Sequence, residues 1–87
     1  MKINKNGVEI TQRFFQAIEL LKQTKKIRGL GTYTRENGIN RWNLITVRNK
    51  PEISVLKPEW LVPLVTEYGF SAEWLLTGRG TIYKYSD

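Results

Sequence analysis

Four consecutive residues, Asn40, Arg41, Trp42 and Asn43, bring two carboxamides, a guanidinium and an indole together with no acid beside them. Each group suits the edge of a nucleic-acid base. Arginine donates two hydrogen bonds to guanine O6 and N7, and asparagine pairs in the same bidentate manner with adenine N6 and N7. An aromatic face can meet a thymine methyl group or pack on a sugar. One helical turn further on, Thr46 falls on the same side. Asn40, Arg41, Trp42, Asn43 and Thr46 therefore form the candidate base-reading set. Plainer readings stand beside it. Capping a helix is enough to explain Asn40. Trp42 either faces a groove or is buried, against the preceding helix or in a dimer seam. Ile45, three residues from Trp42, is expected on the outward stripe, against a thymine methyl or another protein.

The surrounding sequence must supply elements that hold this tip out. Residues 1 to 10 read as a loose polar arm, with Thr11 capping a first helix that runs to about Gln23. Phe14, Ala17, Ile18 and Leu21 recur at the helical period and make its buried stripe, widened by Phe15 and Leu20. A basic loop, 24 to 29, leads to a short helix over about 30 to 37. Gly38 closes it, because glycine accepts the positive φ of a sharp exit. Asn40 can then cap a third helix that lasts to about Arg48, where Lys50-Pro51 ends it. Pro58 suits the start of a fourth helix, but Pro63 lies inside the same stretch, so that helix either kinks or starts later. Ser71 caps a fifth, through Trp74, Leu75 and Leu76, ended by Gly78. Residues 11 to 80 thus form one all-α, five-helix domain, and the tail 81 to 87 is short and β-like.

Residues 30 to 49 have the layout of a helix-turn-helix, in which two helices cross over a tight turn that often contains glycine. Tyr33 can face the core, Thr34 is small enough for the helix approach, Gly38 makes the turn and Ile39 anchors inward. Leu44 and Val47, three apart, are the inner edge of the second helix. With those buried, Arg41, Trp42 and Thr46 point outward, and a recognition helix enters the major groove N-terminal end first. The same geometry lays the start of the preceding helix across a phosphate strand. Gly29 and Gly31 have no side chain to block the amides there, and Arg28 and Thr32 can add bonds. Arg48, Asn49 and Lys50 can clamp the other strand. Such contacts position the protein without reading sequence.

Charge agrees with this placement. The chain of 87 residues carries a net charge of +6. Between Lys22 and Lys50 lie eight basic residues and a single acid, Glu36, and the rest of the chain is nearly neutral. A polyanion is the natural partner of such a segment.

Catalysis has little to work with. Histidine and cysteine are both absent, which removes the usual general base and the commonest soft metal ligands. The acids form no pair with a plausible base or metal-ligand spacing, and the Gly-Arg-Gly at 78 to 80 lacks the spacing of a phosphate loop. No enzyme activity, cofactor, metal or small-molecule ligand is expected. The N-terminal stretch has no apolar signal region, and no apolar run is long enough to span a bilayer. A cytoplasmic, nucleoid-associated location is the expectation.

Tyr33, Gly38, Ile39, Leu44, Val47 and Asn49, together with the closing stretch SAEWLLTGRG at 71 to 80, resemble the phage-repressor-like helix-turn-helix DNA-binding domains of the lambda repressor and Cro type. The resemblance covers about residues 11 to 80. The chain departs from the pattern at Asn37, where an apolar residue is usual, at Thr34, where alanine is commonest, and at Lys50, where glycine is frequent. The resemblance implies binding to double-stranded operator DNA and transcription regulation, often as a homodimer. The competing reading is a protein-interaction or antitoxin-like subunit that docks a partner with the same two helices, anchored by Trp42 and Ile45. RNA binding is weaker, since it usually relies on several stacking aromatics.

Overall fold

The computed structural model describes residues 2 to 84. The first helix, α1, spans Lys5–Gln23. Its cap lies seven residues before the expected Thr11, because Asn4 takes that role: its side-chain oxygen accepts a 2.9 Å bond from Gly7 N–H. Thr11 instead lies buried within the helix, its hydroxyl donating to Gly7 O at 3.0 Å. The loose arm over residues 1 to 10 is corrected accordingly. Residues 5 to 10 are helical, and Ile3 N–H donates to Glu52 O at 2.7 Å. Gly7 hides this start, since glycine disfavours a helix interior. It is there for space: a Cβ at Gly7 would stand 2.6 Å from Ile3 Cγ2.

Beyond α1 the chain passes a basic loop in which Ile27 alone turns inward and is buried. Helix α2 covers Leu30–Glu36 and α3 covers Arg41–Asn49. A single 3-10 turn, Pro58–Leu61, follows and leads directly into α4, Val62–Thr66. The later start resolves the difficulty over Pro63. It occupies the first turn of α4, where its missing N–H has no intrahelical partner to lose. Helix α5 spans Ala72–Thr77, with the Ser71 hydroxyl accepting from Trp74 N–H at 3.2 Å and Gly78 left-handed at φ 76°.

The architecture is all-α, five helices with no strand among the described residues. The extended tail contributes one antiparallel bridge between Phe70 and Tyr83, flanked by Ser71 N–H to Ile82 O and Lys84 N–H to Gly69 O, each 2.8 Å. The rest of the expected tail, 85 to 87, lies outside the described residues. Phe14, Leu21, Tyr33, Leu44, Leu64 and Phe70 are fully buried in the core. Arg13 joins the first helix to the last. Its guanidinium donates to Leu75 O at 2.9 Å and Leu76 O at 3.0 Å, closing the end of α5 where helix carbonyls lack partners.

Candidate functional site

The α2–α3 unit is fixed from below. Tyr33 has no solvent exposure, and its hydroxyl donates a 2.7 Å bond to Trp60 O. Burial holds that phenol well above its ordinary pKa, although a hydrogen bond with the Leu64 backbone opposes the shift. Thr34 is also buried and returns its hydroxyl to Gly31 O at 3.0 Å. That bond explains how a polar residue fits where the helices approach. Asn37, polar where an apolar residue was expected, donates from Nδ2 to Tyr33 O at 2.9 Å and so satisfies a carbonyl at the end of α2. Gly38 follows at φ 64°, the left-handed conformation that glycine adopts without strain. Ile39 N–H then donates to Thr34 O at 2.9 Å while its side chain packs on the core.

Helix α3 begins with Asn40 as cap, Oδ1 accepting from Asn43 N–H at 3.1 Å. The cap uses one acceptor site and leaves Nδ2 free to donate. Leu44 and Val47 are buried, so the opposite face looks outward. Trp42 is 74% exposed, against 5% for Trp60 and 7% for Trp74. Burial of Trp42 against α2 is therefore overturned. Arg41, Asn43 and Thr46 are exposed as expected. Ile45 is not: it is half-buried, and the expected outward stripe narrows to Trp42 and Thr46. The Thr46 hydroxyl donates to Trp42 O at 3.0 Å, so its proton turns into the helix while the side chain stays exposed.

Two of the expected base-reading residues also border a cleft that Arg41, Trp42 and Thr46 do not line. Asn40 and Asn43 line a cleft of about 340 Å³ together with Asn37, Lys57 and Glu59 of the segment leading into α4. Lys57 and Glu59 had no local signal in the sequence, because only the fold returns them to the start of α3. Arg28 and Thr32 share a second cleft, about 350 Å³, with Lys25, Lys26, Arg35 and Glu36. Four of the basic residues thus meet in one place. Gly29 caps α2 without a side chain, and Gly31 lies in its first turn. A Cβ at either would meet nothing within 4 Å, which leaves both backbones open. Arg48 and Asn49 form the exposed end of α3, with Lys50 as C-cap donating from its backbone to Thr46 O at 2.9 Å. The first turn of α3 holds no acid and its last turn holds Arg48.

Among the described residues, no three His, Cys, Asp or Glu side chains gather as a metal site, and no helix is long and apolar enough to cross a membrane. No protein-family model, curated protein or solved structure matches the chain.

Proposed function

We propose that the chain is a sequence-specific double-stranded DNA-binding domain of the helix-turn-helix type, a small repressor-like transcription regulator acting in the cytoplasm at the nucleoid. Helix α3 enters the major groove with its N-terminal end leading. The observation that carries the reading is the sidedness of α3. Leu44 and Val47 are buried while Arg41, Trp42, Asn43 and Thr46 are exposed, on a helix with no acidic residue. Arg41, Trp42 and the two carboxamides contact bases. Arg28, Thr32 and the open backbone at Gly29 and Gly31 hold one phosphate strand, and Arg48, Asn49 and Lys50 hold the other. A homodimer on a two-fold site suits this mode, with half-sites about 34 Å apart.

Selection of duplexes from a random pool, followed by footprinting and binding over a salt series, tests the proposal. A defined site should emerge. If six phosphates are neutralised, the log–log slope of affinity against salt should be about −5. Failure to retain any duplex at low ionic strength refutes it.

One observation favours a second reading. The exposed Trp42 would serve equally as the anchor of a protein interface, as in an antitoxin-like subunit. A salt-insensitive interaction centred on Trp42, with no DNA retention, would select that reading.

A further inference from the structure

The outward face of α3 combines two chemistries. Arg41 offers charge and directed hydrogen bonds. Trp42 and Thr46, neighbours at the i, i+4 spacing, offer something different. Trp42 is the most exposed large apolar side chain among the described residues, and an indole held in water is unfavourable unless something covers it. The Thr46 hydroxyl proton is already committed to Trp42 O at 3.0 Å, so the exposed part of that side chain includes a methyl group and no free donor. The two residues form a short apolar strip beside a guanidinium. Ile45, which would have widened it, is half-buried.

A duplex major groove displays one apolar group, the 5-methyl of thymine. Arg41 at the start of α3 and Arg48 and Lys50 at its end give the charge complementarity that directs this face to DNA. Resting on the DNA-binding reading above, we infer that Trp42, supported by the Thr46 methyl, is a thymine reader. It selects a thymine at one position of the site by covering its methyl group, while Arg41 reads a neighbouring base by hydrogen bonding. Trp42 is thus a specificity-determining residue that acts without a hydrogen bond.

The test uses the full chain and the duplex it enriches from a random pool. Each thymine of that duplex is replaced in turn by deoxyuridine, which removes only the methyl group. At one position the replacement should lower affinity about four-fold, the effect expected for one buried methyl. The same replacement should have no effect on Trp42→Ala and should keep most of its effect on Trp42→Phe. Because Trp60 and Trp74 are buried, 5% and 7% exposed, the emission lost on Trp42→Phe substitution reports on Trp42. That component should shift to the blue when the duplex binds. Trp42→Ala should melt at the wild-type temperature, as expected of an exposed side chain. If the duplex binds but every deoxyuridine is silent, or is felt equally by wild type and Trp42→Ala, the thymine assignment falls and DNA binding stands. If no duplex is retained at low salt, both fall together.

Discussion

The Tyr33 hydroxyl and the Trp60 carbonyl lie 2.7 Å apart in a fully buried hydrogen bond. The bond runs from the middle of α2 to the 3-10 turn before α4, and it sets the distance between the α2–α3 turn and the segment carrying Lys57 and Glu59. Tyr33→Phe keeps the ring but leaves the Trp60 carbonyl without this donor. Stability should fall by about 1 to 2 kcal/mol, read from urea unfolding with an unchanged m-value. Loss of less than a few tenths would mean that the bond does not hold the two elements together.

The same phenol makes stability sensitive to alkali. Burial raises the Tyr33 pKa above the ordinary phenol value, which is about 10. Below that value both folded and unfolded chains keep the proton, and the contribution is complete. Above it the unfolded chain releases a proton that the folded chain retains, so stability falls as pH rises. Tyr68 adds in the same direction, through burial first and then the neighbouring charges of Glu36 and Glu67. Tyr33→Phe should flatten the decline of melting temperature above about pH 10. Identical slopes for wild type and variant would contradict the assignment.

Asn40 combines a cap with a proposed base contact, and two substitutions separate them. Asn40→Asp keeps an oxygen for the Asn43 amide and should leave thermal stability within a few tenths of a kcal/mol, since both residues are good caps. Its negative charge should nevertheless weaken duplex binding at low salt, by about ten-fold or more. Asn40→Ala should lower stability by about 1 kcal/mol. Equal binding by wild type and Asn40→Asp would place the tip of α3 away from phosphates.

Arg41 and Lys50 sit at opposite ends of α3 and should fail differently. Arg41→Ala should cost about 1 to 3 kcal/mol on the selected site and relax the preference at one base pair. Lys50→Ala should weaken selected and random duplexes alike and reduce the salt slope by about 1. Parallel losses for both variants on both duplexes would remove the distinction between reading and positioning.

The helical periods were legible along the chain, because buried stripes such as Phe14, Ala17, Ile18 and Leu21 repeat at a spacing that tertiary contacts only reinforce. Caps at Asn40 and Ser71 were legible for the same local reason. The start of α1 was not. Gly7 is a poor helix residue taken alone, and only the approach of Ile3 accounts for it. Ile27 sits among basic residues with no period to mark it, yet it is buried. At the candidate site, the outward set on α3 followed from Leu44 and Val47. What escaped was Lys57 and Glu59 beside Asn40 and Asn43, which only the fold brings together, and the partial burial of Ile45.

The Arg13 guanidinium that closes α5 spans 62 residues to Leu75 and 63 to Leu76. A nascent chain emerging from a ribosome could form α1 early, but this clamp must wait until the last helix has cleared the exit tunnel. A premature stop before Leu75 would leave Arg13 without its acceptors. Chains truncated there would lose this tie between the first helix and the last.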